Sequence, residues 1–244
     1  MKKILKILAV ILLAIVLYFV NGFYGNPISK LLVTSAANKY IDKNYKDLDL
    51  EKEPVNYNFK MGAYTMTLQD KNSQDTNFQI SFDGLGRFKS DSFNQRLFNT
   101  YIRFDKVLRD HGKMLENKEH FPYEINLMIR DDGNYEGKIQ LDEEVDLNKF
   151  PFDVEAQTIG FSEKPTYEEA LKIFKNLKQI MDKEPFSVSD YSLILIPEKD
   201  RAEGSEAKTW ENALTIYDVT ADLIEKESVK DLEEHSKKMD EIKK

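Results

Sequence analysis

The chain has 244 residues, 41% hydrophobic and 32% charged, a balance that excludes wholesale disorder and suffices for one or two compact domains. Its net charge is −8, and setting aside Lys2, Lys3 and Lys6 leaves −11 for the remainder, which excludes a basic nucleic-acid-binding surface. Cysteine is absent, so disulfides, thiol catalysis, lipidation on cysteine and zinc fingers are excluded too.

The first element is apolar. Ile7 to Val20 is an unbroken run of fourteen apolar residues, and continuing across Asn21 and Gly22 to Tyr24 extends it to eighteen. At about 1.5 Å per residue, eighteen residues reach roughly 27 Å, close to a hydrocarbon core. The pattern predicts a cytoplasmic tail over 1–6 and a transmembrane anchor over 7–24, running from Ile7 through Val20 and ending on the interfacial aromatics Phe23 and Tyr24. Lys2, Lys3 and Lys6 orient it, giving a single-pass cell-membrane protein that meets lipid through this helix and carries its bulk on the extracellular side. Two readings compete. A secretory signal peptide has a similar basic start and apolar run, but cleavage requires small residues where Phe23 and Tyr24 stand, which favours an uncleaved signal-anchor. A buried core helix is the other.

Asn26-Pro27 then reads as a helix start, Asn as the cap and Pro at the first position, with Ile28, Leu31, Leu32, Ala36, Tyr40 and Ile41 on one face of a helix to Lys43. Period two follows. Val55, Tyr57 and Phe59, then Tyr64, Met66 and Leu68, then Phe78, Ile80 and Phe82 alternate with polar residues, with turns at Met61-Gly62, Lys71 to Gln74 and Gly84 to Gly86. Residues 27–90 therefore form a helix plus antiparallel meander.

A larger α+β domain is expected over 91–244. Ser92 with Gln95 three later predicts a capped helix bearing Leu97, Phe98, Tyr101, Phe104 and Leu108. Tyr123 to Ile129 and Tyr135 to Leu141 flank Asp132-Gly133 as a hairpin, with Val154 to Phe161 as a third strand. Thr166 with Glu169 starts a helix whose Ala170, Leu171, Phe174, Leu177 and Met181 share a face before Pro185. Ser189 to Ile196 and Trp210 to Tyr217 read as strands around an exposed polar loop at Glu198 to Lys208, and Ser228 with Asp231 caps a final helix. The fold class is thus α+β: a transmembrane helix, then units of helix plus antiparallel sheet.

The apolar start, GNPISKLL, KYIDKNYKDLDL, and the Y-x-F-x-x-G-x-Y pattern at Tyr57, Phe59, Gly62 and Tyr64 followed by Phe78-Gln-Ile80 resemble the YfjL-like membrane-anchored proteins of Firmicutes over residues 1 to about 90. The resemblance implies a single-pass protein facing the cell surface and supplies no catalytic residue. Helix-then-meander units are also similar to small PepSY-like and cystatin-like modules, which mostly bind or inhibit.

Chemistry-bearing motifs are sparse. G-x-S-x-G and H-E-x-x-H are missing, no S-x-x-K serves an S-D-N partner, and His111, His120 and His235 have no ligand spacing, so no catalytic residue, cofactor or metal is expected. Asp47, Asp49, Glu51 and Glu53 alternate before the first strand, and Asp142, Glu143, Glu144 and Asp146 follow a strand end; neither group has the glycine turn of a calcium loop. Tyr45, Tyr101, Tyr123, Tyr167 and Trp210 are the candidate binding surface, set against ordinary half-buried packing of aromatics in strands and helices. The balance favours a non-enzymatic, membrane-tethered module that binds a protein or envelope component. The alternatives are an envelope hydrolase or transferase using paired carboxylates, and an assembly subunit of a membrane complex.

Overall fold

The computed structural model describes residues 2–130 and 133–242, in two compact units: Met1–Thr100 with Gln140–Glu143, and Tyr101–Ile139 with Glu144–Lys244.

In the first unit, helices α1 (Lys2–Tyr24) and α2 (Pro27–Asn44) precede strands β1 (Leu50–Lys52), β2 (Asn56–Asn58), β3 (Ala63–Asp70), β4 (Asn77–Phe82) and β5 (Phe88–Asp91). The sheet is antiparallel, ordered β1-β3-β4-β5, with β2 also pairing β3. The expected alternation sets its core directly. Tyr64 faces Phe82, Met66 faces Ile80 and Leu68 faces Phe78, and all six are buried. Asn26 caps α2 as expected, its Oδ1 accepting from the Ile28 N–H at 2.8 Å, with Pro27 in the first turn. The packed face of α2 is different, however. Val33, Ala37 and Ile41 are buried, whereas Ile28, Leu31 and Leu32 stand exposed. A spacing of four keeps Val33, Ala37 and Ile41 in one stripe, and the small Ala37 lets the helix approach the sheet closely.

The expectation of a membrane anchor is corrected here. Among the described residues, no helix is long and apolar enough to cross a membrane. Helix α1 covers the expected segment, but only the fourteen residues from Ile7 to Val20 are continuously apolar, roughly 21 Å of helix against the ~30 Å that a span requires. Asn21 and Gly22 interrupt it, and the Phe23 ring lies 5.7 Å from that of Phe59. The transmembrane and signal-anchor assignments, lipid as a partner through this helix, and the single-pass placement are therefore withdrawn. Ile7, Val20, Phe23 and Tyr24 remain as exposed apolar side chains of α1.

The second unit contains most of α3 (Arg96–Lys118), then β6 (Glu124–Ile129), β7 (Val154–Ser162), α4 (Tyr167–Met181), β8 (Val188–Pro197), β9 (Leu214–Val219), α5 (Ala221–Glu225) and α6 (Val229–Ile242). Its sheet is ordered β6-β7-β8-β9. β7 and β8 run parallel, joined by α4, so the sheet is mixed rather than antiparallel. A parallel pair needs a crossover, and the amphipathic α4 supplies it. Thr166 caps α4, accepting from the Glu169 N–H at 3.3 Å, and Ala170, Leu171, Phe174, Leu177 and Met181 are buried as expected. Ser92 does not cap. A short 3₁₀ turn over Phe93–Gln95 intervenes before α3, and the Ser92 hydroxyl instead accepts from the Gln79 N–H.

The expected hairpin at Asp132-Gly133 does not form in the described residues: β6 pairs with β7, and Tyr135 to Leu141 contains turns and an isolated bridge. Asp131 and Asp132 lie outside the described residues.

The outer edge of β6 is covered by α3. Glu116 accepts the Ile125 N–H at 2.7 Å and Asp105 accepts that of Ile129 at 3.4 Å. Arg109 donates to Asn126 Oδ1 at 3.1 Å. Gly112 makes the approach feasible, since a methyl group there would meet the Ile125 carbonyl oxygen at 2.5 Å. With the N–H groups of Ile125 and Ile129 taken by α3 side chains, this edge is a poor template for a further strand.

Candidate functional site

β7 and β8 end together, with Ser162 opposite Pro197. The chain beyond β8 folds back on itself. Lys208 N–H donates to the Asp200 carbonyl and Ala202 N–H to that of Glu206, both at 2.7 Å, while Arg201 bridges Ala207. The loop expected to be merely exposed is therefore a closed hairpin. It borders a cavity of about 560 Å³ lined by Pro122, Tyr123 and Glu124 before and at the start of β6, Ile159, Gly160 and Phe161 of β7, Ile196 of β8, and Arg201, Glu206, Ala207 and Trp210 of the loop. In sheets with βαβ crossovers, ligands commonly bind outside the carboxyl ends of the parallel strands, where loops diverge. This volume is in the range of small-ligand sites.

Gly160 is a structural requirement of the site. A methyl group there would sit far inside van der Waals distance of the Tyr123 ring, so only glycine lets that ring lie across β7. Burial first, and then the nearby Glu169 carboxylate, hold the Tyr123 phenol above its ordinary range, keeping it neutral and able to donate. Glu169 itself accepts from the Ser162 hydroxyl at 2.6 Å. Arg201 is engaged on two sides. Its Nε and Nη2 donate to Glu198 at 2.5 and 2.8 Å, and its guanidinium lies 3.9 Å from the centre of the Phe161 ring. The hydrogen bonds from Arg201 hold the Glu198 carboxyl below the usual carboxylate range. Trp210 is 54% exposed, unusual for so large an aromatic surface.

Among the described residues, the lining contains no Ser, Thr, Cys, Lys or His side chain. Its chemistry is stacking, cation pairing and hydrogen bonding through Tyr123.

Of the five aromatics expected to form a binding surface, the structure brings Tyr123 and Trp210 together. The other three are used in packing. Tyr45 packs on Phe78 and Phe93 at 4.9 and 4.7 Å, and its hydroxyl donates to Asp91. Tyr101 lies 5.2 Å from Tyr135 and 5.5 Å from Phe152. Tyr167 begins α4 against the core of the second unit, its hydroxyl 3.4 Å from that of Ser236. Arg201, Phe161, Glu124, Glu206 and Gly160 were not singled out by sequence. Phe161 and Gly160 ended an expected strand, and Arg201 and Glu206 stood in a polar loop whose closure no motif signals.

The other sequence candidates resolve into supports. His111 Nε2 is 2.6 Å from Glu184, and His235 Nε2 is 2.9 Å from the Tyr217 carbonyl. Asp47, Asp49, Glu51 and Glu53 are exposed, and Asp49 pairs with Lys71 at 3.2 Å. Asp142 accepts from the Ser73 hydroxyl at 2.9 Å and the Asp75 N–H at 2.8 Å, and Asp146 caps the 3₁₀ turn Leu147–Lys149. Among the described residues, no group of three or more His, Cys, Asp or Glu side chains is arranged to hold a metal ion.

These features define a two-unit α+β protein whose second unit carries a ligand-sized, aromatic-lined cleft. The family model of the YfjL-like N-terminal domain matches residues 1–92, and that of the YfjL-like C-terminal domain matches residues 112–233, which contain every cleft residue. The chain belongs to the YfjL-like family, and the likeness extends well beyond residue 90. Neither the curated proteins nor the solved structures give a match.

Proposed function

We propose that the chain is a binding module that holds a segment of a partner protein in the cleft at the carboxyl ends of β7 and β8. The observation that carries this reading is the half-exposed Trp210 sharing one cavity with Tyr123 and Phe161. Exposed aromatics around a concave site are the usual anchors of protein recognition, and truncating one costs about 2 kcal/mol or more of binding, roughly thirtyfold in affinity. Strand addition at the β6 edge is a poorer route, because α3 occupies it.

The test is panning of a displayed peptide library against the full chain. Enriched sequences should share a motif and lose at least tenfold in affinity to Trp210→Ala, a variant whose exposed position leaves folding intact. Equal affinity of the enriched peptides for Trp210→Ala overturns the reading.

A second reading, glycan hydrolysis by paired carboxylates, draws on Glu124 and Glu206 lining the same cavity. It predicts reducing-sugar release from wall polysaccharide that is lost in Glu124→Gln and in Glu206→Gln. Unchanged release in either variant removes it.

A further inference from the structure

The charges around the cleft are unequal. Glu124 and Glu206 both line it, and among the described residues neither has an ion-pair partner. The lining's cation, Arg201, is already committed to Glu198 and to the face of Phe161. Among its described lining residues, the site therefore offers two free carboxylates and the rings of Tyr123 and Trp210, with no free cation to receive an acidic ligand. Arg201 over Phe161 shows what suits this environment: a guanidinium against an aromatic face with a carboxylate beside it. The chain's net charge of −8 draws in the same sign of partner at long range.

We infer that the occupant of the cleft is a basic segment of a partner protein, whose lysine or arginine side chain lies against the rings of Tyr123 and Trp210 with Glu124 and Glu206 as counter-charges. The inference rests on the cleft being the binding site. Both carboxylates are exposed, so each contributes modestly, about two- to fivefold in affinity, and the rings must supply the remainder. Such a site binds weakly to one isolated cation and more tightly to an extended segment that also covers the half-buried Ile159.

Trp210 is the only tryptophan in the chain and reports directly on the cleft. The full chain is titrated with three short blocked peptides of alternating leucine and lysine, leucine and glutamine, or leucine and glutamate, following Trp210 emission. The lysine peptide should produce a saturable change, binding at least tenfold more tightly than the other two. Its affinity should fall about tenfold in the Glu124→Gln/Glu206→Gln double variant, and fall again as ionic strength rises from about 0.05 to about 0.5 M. Glu206→Gln alone, in the loop after β8, should lose two- to fivefold and carries the test should the double variant unfold. If the glutamine peptide binds as tightly as the lysine peptide, or the Gln variants bind lysine peptide undiminished, the basic-segment inference falls while the cleft stands. If none of the three peptides alters Trp210 emission, both fall.

Discussion

Aromatic side chains of the same kinds meet opposite fates in the two units. In the first, Tyr45 packs on Phe78 and Phe93, Tyr40 stacks on Phe88 at 4.6 Å, and both hydroxyls close on one carboxylate, Asp91. In the second, Tyr101 and Tyr167 also pack, but Tyr123, Phe161 and Trp210 line a cavity instead. Strand propensity alone does not separate these outcomes, since an aromatic on a strand suits packing against either protein or ligand. What separates them is what stands beyond the strand ends. Short turns join β3 to β4 and β4 to β5, whereas β8 is followed by a sixteen-residue connection, 198–213, that borders the cleft.

The largest expected effect tests whether the units are as separate in stability as in their cores. Phe174 and Phe78 are both essentially fully buried, each in its own unit's cluster, so Phe174→Ala and Phe78→Ala should each cost about 4 kcal/mol. In differential scanning calorimetry each variant should lower one transition and leave the other unmoved. Equal displacement of one shared transition would show that the units fold as one body and would break the contrast.

Next in size is Gly160→Ala. The added methyl group collides with the Tyr123 ring, an overpacking expected to cost about 2 kcal/mol in urea unfolding and to weaken any ligand of the cleft. Combining it with Tyr123→Ala should restore part of the loss, with a coupling of about 1 kcal/mol or more. Strict additivity would mean that Gly160 is not reserved for Tyr123.

The next two effects concern a pair of look-alike sequences. Thr166-x-x-Glu169 and Ser92-x-x-Gln95 both read as helix starts, yet only Thr166 accepts a hydrogen bond from its own helix. Thr166→Ala should cost about 1 kcal/mol, and Ser92→Ala under about 0.5 kcal/mol, in the same unfolding assay. Comparable losses would show that Ser92 is worth as much through Gln79 as Thr166 is as a cap.

That pair also shows where sequence stopped informing. Local, periodic features were legible: the Tyr64/Met66/Leu68 and Phe78/Ile80/Phe82 alternation, the Asn26-Pro27 cap and the apolar face of α4 all depend on neighbours within a few residues. The partner of β6 was not legible. Asp132-Gly133 is a strong local turn signal, but β6 pairs across a longer separation with β7, and β7 lies parallel to β8 because α4 supplies a crossover that no dipeptide encodes. The first helix misled in another way, because hydropathy was counted across Asn21 and Gly22. Of the cleft, Tyr123 and Trp210 were singled out as aromatics; Gly160 and Arg201 could not be, since their roles exist only once β7, β8 and the loop are assembled.

The smallest effect is silent at neutral pH. Burial first, and then Asp91, raise the phenols of Tyr40 and Tyr45 above their ordinary value of 10.0, so the folded chain retains two protons that the unfolded chain releases near that pH. For a group raised on folding, the contribution is fully present below the unfolded value and is lost as pH climbs through the folded one. Stability of the first unit should therefore be flat up to about pH 9.5 and decline above about pH 10. Absorbance of tyrosinate followed alongside circular dichroism should show a late-titrating fraction that ionises only as the first unit unfolds. Asp91→Asn removes the charge but not the burial, so the late fraction should move part of the way back toward 10.0. If every tyrosine titrates with an ordinary midpoint while the fold persists, the Tyr40, Tyr45 and Asp91 cluster is open to water, and the inward-turned half of the contrast between the units is wrong.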